Sequence, residues 1–175
     1  MRSSKKSLVA EKWVINASPV IALSRVELVE LLIRLPEQAA IPRAVEDELL
    51  RATDDDPARR AVEGGMFQIV EVPTPPSEIV AWDLGQGETA VLSYALAHRN
   101  WIAVLDDGTA RRCARTLSMN ITGTLAVVIL AKQHNLIASA AKVLHELRRV
   151  GFHLDDAIIH DALARTVGEK WKTGK

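Results

Sequence analysis

The chain has 175 residues, 48% of them apolar, enough to bury the core of one domain. Its 22 basic and 22 acidic residues cancel, so no global field draws it to nucleic acid or membrane, and any polynucleotide contact must come from a local patch. The only cysteine, Cys113, excludes an internal disulfide and a cysteine zinc cage, and in a helical pattern it reads as a packed thiol.

Met1 to Lys6 is basic, but Glu11-Lys12 interrupts the apolar run behind it, so no signal peptide is read there. The longest strongly apolar run, Leu125 to Ala131, is too short to cross a bilayer. The expectation is a soluble cytoplasmic protein: an N-terminal tail over 1–12, one domain over 13–168 and a fraying polar tail over 169–175.

Trp13-Val14-Ile15 reads as a short buried strand that runs into Asn16-Ala17-Ser18-Pro19. Ser18 suits a cap and Pro19 a first helical position, and apolar residues at helical spacing continue to Leu35 before Pro36 ends the stretch. Ala39-Ala40-Ile41 predicts a second strand, after which Pro42 opens a helix through Val45, Leu49 and Leu50. Asp54-Asp55-Asp56 lacks the spaced ligands and glycine of a calcium loop and reads as a cap and solvated loop. A short helix then ends at Gly64-Gly65. Phe67 to Val70 predicts a third strand, and Pro73, Pro75 and Pro76 make a rigid connector.

Gly85-Gln86-Gly87-Glu88 starts the next helix, and Ile102 to Leu105 is the clearest strand, ending in Asp106-Asp107. A polar helix carrying Arg111, Arg112 and Arg115 follows. Ile121-Thr122 is a brief fifth strand, Gly123-Thr124 opens an apolar helix to about His134, and amphipathic helices cover Ser139–Val150 and Leu154–Val167. Short, uniformly apolar strands alternating with helices predict a mostly parallel sheet of about five strands in a three-layer α/β/α sandwich.

In such sheets functional groups gather where the strands end. Asn16 follows the first strand, Glu48 lies just beyond the second, Glu88 starts a helix, and Asp106-Asp107 follow the fourth strand. An all-oxygen set of this kind suits Mg²⁺ or Mn²⁺, which takes a few carboxylates together with substrate phosphate oxygens. Each residue also has a plainer reading. Glu48 fits a solvent-facing helix position, Glu88 favours a helix dipole, Asp106-Asp107 fit a cap, and Asn16 and Ser18 fit a turn.

Taken together, Val14-Ile15-Asn16-Ala17-Ser18-Pro19-Val20-Ile21-Ala22-Leu23, Ile41-Pro42 with Val45 and Glu48-Leu49, Gly87-Glu88 with Ala90, Leu105-Asp106-Asp107 with Ala110-Arg111, and Gly123-Thr124-Leu125 resemble the PIN-domain family. The resemblance is to the branch often found as toxins of type II toxin–antitoxin pairs, and it runs from about residue 13 to 165. It implies Mg²⁺- or Mn²⁺-dependent cleavage of RNA phosphodiesters, with an antitoxin protein as partner. Asn16 matches the first acidic position, Glu48 the second, Glu88 the third and Asp106 or Asp107 the fourth, while Ser18 matches the supporting hydroxyl. Asn16 departs from the Asp usual in the general family: an amide oxygen can ligate a cation but brings no charge and accepts no proton.

Arg111 and Arg112, one turn past the aspartates, are candidates to hold substrate phosphates, as are the amides near Thr124. Alternatives are a catalytically attenuated PIN-like module acting by protein or RNA binding, and, more remotely, a phosphoacceptor domain built on Asp106-Asp107. The apolar stripes of the last helices suggest a homodimer.

Overall fold

The computed structural model describes residues 8–173. Most of the expected N-terminal tail, Met1–Ser7, lies outside the described residues, as do Gly174 and Lys175. From Leu8 onward the chain is anchored: the amides of Leu8 and Val9 both donate to the Leu35 carbonyl, at 3.0 and 2.9 Å.

Five parallel strands form one sheet in the order β3-β2-β1-β4-β5. They are β1 (Lys12–Ile15), β2 (Gln38–Pro42), β3 (Gln68–Val70), β4 (Trp101–Val104) and β5 (Ile121–Thr122). β1 is central, with Val14 aligned to Ala40 on one side and Ala103 on the other. Trp13, Val14 and Ile15 are wholly buried, as expected of a strand covered on both faces. This is the three-layer α/β/α architecture that the alternation predicts.

The helices are α1 (Ala17–Arg25), α2 (Leu31–Arg34), α3 (Arg43–Leu50), α4 (Pro57–Glu63), α5 (Ser77–Val80), α6 (Gln86–Ala97), α7 (Gly108–Thr116), α8 (Thr124–Gln133), α9 (Ala140–Arg149) and α10 (Asp156–Thr166). α6 lies across β1, β2 and β4, with α3, α5 and α7 beside it, while α1, α8 and α9 pack on one another. Asp56, Asp107, Ser139 and Asp155 each cap a helix through the side chain.

Three expectations are corrected. The helical stretch running to Leu35 is broken after Arg25. Glu27 adopts a left-handed φ of 59°, its amide donates to Ser24 O and the Leu28 amide to Leu23 O, which together close a Schellman motif. The proline connector leads into the short α5, which its composition does not announce. The C-terminal segment does not fray at its start: Glu169 accepts from Ser139 Oγ and from the amides of Ala140 and Ala141, and Trp171 is buried.

Candidate active site

Because all five strands are parallel, the segments that follow them emerge at one edge of the sheet. Asn16 leaves β1 there, its backbone amide bonded to Val104 O at 2.9 Å, so the central strand pair fixes its position. It occupies the N-cap of α1, but its side chain makes no cap hydrogen bond. Instead Nδ2 donates to Glu88 Oε1 at 2.9 Å, across 72 residues of sequence. That donation orients the amide, and Oδ1 is left buried with no hydrogen-bond partner among the described residues.

Gly87 shows where Oδ1 points. A Cβ placed on Gly87 would lie 2.9 Å from Asn16 Oδ1 and 3.0 Å from Glu48 Oε2. Both oxygens therefore face one spot at the start of α6, and only glycine leaves room for them. Glu48 sits on α3 and still reaches solvent. Partial burial of its carboxyl raises its pKa, the charge of Glu88 raises it further, and Arg51 opposes both.

The two aspartates have separate tasks. Asp106 accepts the Thr124 amide at Oδ1 (2.8 Å), the Thr124 hydroxyl at Oδ2 (2.6 Å), and the Ser18 hydroxyl at Oδ2 (3.4 Å). Asp107 caps α7 through Oδ1 on the Ala110 amide at 2.8 Å. It also shares with Glu88, Asp83 and Thr109 a polar recess of about 260 Å³. The structure thus brings Asn16, Glu48 and Glu88 together, sets Asp107 beside Glu88, and ties Asp106 to the same edge through Ser18.

Among the described residues, no group of three or more His, Cys, Asp and Glu is gathered tightly enough to hold a metal ion. The set that does converge counts an amide: Asn16 Oδ1, buried and unpartnered, faces Glu48 Oε2 with Glu88 alongside. Two oxygens turned to one spot repel unless positive charge lies between them, and an all-oxygen set is what a hard cation takes. The donor chemistry of Asn16, Glu48 and Glu88 is that of a hard divalent cation.

A family model described as a PIN domain matches residues 12–169, nearly the whole chain. The protein belongs to the PIN-domain family. Its fold is accordingly of nuclease type, in a family that generally uses divalent metals. A comparison with curated proteins found no match.

In this PIN domain Thr124 and Arg111 take places that the sequence did not indicate. The Thr124 amide, a candidate for substrate phosphate, is already engaged by Asp106. Arg111 donates through Nη1 to Leu105 O (2.9 Å) and Thr122 O (3.1 Å), bridging the ends of β4 and β5. Gly123 lies between these groups, where a Cβ would come within 2.8 Å of Asp106 Oδ1 and 2.9 Å of Arg111 Nη1. Arg112 is exposed and bonds Thr109 Oγ1 on its own helix. Ser18 supports Asp106 rather than Asn16. The glycines at 87 and 123 stand beside motif residues, and a glycine next to a strand or helix end is the one sequence signal for such close approach. Cys113 is buried, and burial raises its thiol pKa, as suits packing. Among the described residues no helix is long and apolar enough to cross a membrane.

Proposed function

We propose that this PIN domain is a Mg²⁺- or Mn²⁺-dependent endoribonuclease, the toxin of a toxin–antitoxin pair with a protein antitoxin as inhibitor. The observation that carries the reading is the orphaned Asn16 Oδ1 turned towards Glu48 Oε2 while Asn16 Nδ2 holds Glu88. Asn16, Glu48 and Glu88 would hold the cation, with Asp107 beside Glu88 as the next oxygen source. When bound, the cation would neutralise phosphate charge and make an attacking water more acidic.

The chain's own residues do the positioning. Asn16 fixes the Glu88 carboxylate, and Gly87 keeps the space between Asn16 and Glu48 open. Thr124 and Ser18 fix Asp106. In the reaction a water oxygen bonds to phosphorus, the P–O ester bond breaks, and the leaving oxygen takes a proton. Replacing Glu48 and Glu88 together with Gln should abolish Mn²⁺-dependent cleavage of single-stranded RNA and also calorimetric Mn²⁺ binding. Cleavage that survives the double change rejects these roles.

Asn16 favours a second reading, an attenuated PIN module that acts by binding protein or RNA. A neutral first ligand lowers cation affinity, by about tenfold if one contact worth about 1.4 kcal/mol is lost. In that case purified protein is inactive at ordinary Mg²⁺ while Asn16→Asp gains cleavage. Wild-type cleavage under those conditions excludes it.

A further inference from the structure

Beside Asp106, where β4 meets the edge strand β5, runs a groove of about 400 Å³, a size that suits a small organic ligand. It is lined by the charged Asp106, Arg111 and Arg115 and by the aliphatic Leu125, Ile129, Leu154 and Ile158. Ile158 is 54% exposed, one of two large apolar side chains so open among the described residues.

The two arginines set the chemistry. Arg111 is half-buried; burial and then the charge of Arg115 lower its pKa, and Asp106 only partly offsets them. Neither guanidinium has a carboxylate within ion-pair reach among the described residues. Arg111 Nη1 is fixed on two backbone carbonyls, so the fork is held rigid. Its Nε and Nη2 have no hydrogen-bond partner among those residues and are not sealed from solvent. Arg111 is held in place with free donors, and the exposed Arg115 one helical turn on adds a second positive charge, an arrangement that attracts an anion. Guanidinium forks match phosphate geometry. The aliphatic part of the lining offers a surface for the flat face of a base.

We propose that this groove receives one nucleotide of a single-stranded RNA, its phosphate on Arg111 and Arg115 and its base against Leu125, Ile129 and Ile158. Its placement next to the scissile phosphate rests on the nuclease reading, because Asp106 is shared by the groove and the acidic edge. With zero net charge any polynucleotide contact must be local, and this groove supplies one beside the proposed active site.

The test is fluorescence anisotropy of the intact protein with a labelled oligouridylate of about ten nucleotides in EDTA, over roughly 50 to 200 mM salt. Arg115→Gln should weaken binding several-fold and lower the log–log salt slope by about 0.7, the value for one single-strand phosphate contact. Ile158→Ser should weaken binding with the slope unchanged. Arg34→Gln, on the helix leading into the amino end of β2, should bind as wild type. Wild-type protein that fails to bind at low salt overturns the proposal. So does binding that Arg115→Gln and Ile158→Ser leave intact, the result expected if the groove docks an acidic protein segment instead. Equal losses from Arg34→Gln and Arg115→Gln also overturn it. Cleavage with Mn²⁺, measured in parallel, separates the two ideas. Cleaving wild type with unaffected groove variants removes the groove alone, and groove-dependent binding without any cleavage removes the nuclease reading alone.

Discussion

Thr124 grips Asp106 at both oxygens, the amide on Oδ1 at 2.8 Å and the hydroxyl on Oδ2 at 2.6 Å. Thr124 is itself wholly buried, so its hydroxyl has no water to turn to, and the first amide of α8 also lends Asp106 the positive end of a ten-residue helix. Each carboxylate oxygen thereby has a fixed direction, which a freely rotating side chain at a strand end lacks.

Removing the hydroxyl at constant shape should expose that role. Thr124→Val is expected to destabilise the protein by about 1.5–3 kcal/mol, the range for a hydrogen bond to a charged group. Thr124→Ser, which keeps the hydroxyl, should recover most of the loss. Urea denaturation checks the ranking, and a Val variant as stable as wild type would show that Asp106 does not depend on Thr124.

Gly87→Ala should separate stability from function. In a helix Ala is favoured over Gly by about 1 kcal/mol, yet here the new Cβ falls on Asn16 Oδ1 and Glu48 Oε2. Glu48 Oε2 ends an exposed side chain and can move aside, while Asn16 is buried and bonded to Glu88, so its shift offsets the helix gain. The expected outcome is an unchanged or slightly lower Tm with Mn²⁺ affinity reduced tenfold or more by calorimetry. Retained affinity would place the cation elsewhere.

The fold was legible because its signal is local. Each strand is a short apolar run, and most helices begin at a proline, a glycine or a capping side chain that can be seen in the sequence. The break after Arg25 was not, since Glu27 closes the Schellman motif without the glycine that usually marks one. The candidate site was legible only as a set of positions near strand and helix ends. Its internal partners were not, because Asn16 with Glu88 and Asp106 with Thr124 are pairings that only the assembled sheet edge creates. The same applies to Glu169, which caps α9 from about thirty residues away and reads in sequence as part of a polar tail.

That C-terminal segment should prove to be structural. Trp171 stacks on His145 with ring centroids 4.0 Å apart, lies 4.9 Å under the Arg148 guanidinium, and donates Nε1–H to Asp156 Oδ1 at 2.7 Å. It joins α9 to α10. Trp171→Ala should cost about 3 kcal/mol as a large-to-small change at a buried site, and Trp171→Phe clearly less. Truncation before Glu169 should lower Tm further, because the amides at the start of α9 lose their acceptor. A truncated chain that melts like the full one would return this segment to the status of a tail.

The pH dependence of stability tests the environment of Glu48. Burial and then Glu88 raise its pKa above the ordinary value of 4.5, so the folded protein holds this proton to higher pH than the unfolded chain does. The stabilisation from this group is complete below about 4.5 and is lost as pH rises through the folded value. At neutral pH an ionised Glu48 beside Glu88 therefore works against the metal-free fold, and Glu48→Gln should stabilise it. The gain is a fraction of a kcal/mol, since Glu48 reaches solvent and its charge is screened. Towards pH 4 the gain should vanish. Mn²⁺ should reverse the order at neutral pH, because wild type alone gains stability as the cation concentration exceeds Kd. Thermal melts at both pH values, with and without Mn²⁺, give the comparison. A Gln variant that melts below wild type in metal-free buffer at pH 7 would mean that Glu48 sits in a favourable contact, and would count against the proposed cation at Glu48 and Asn16.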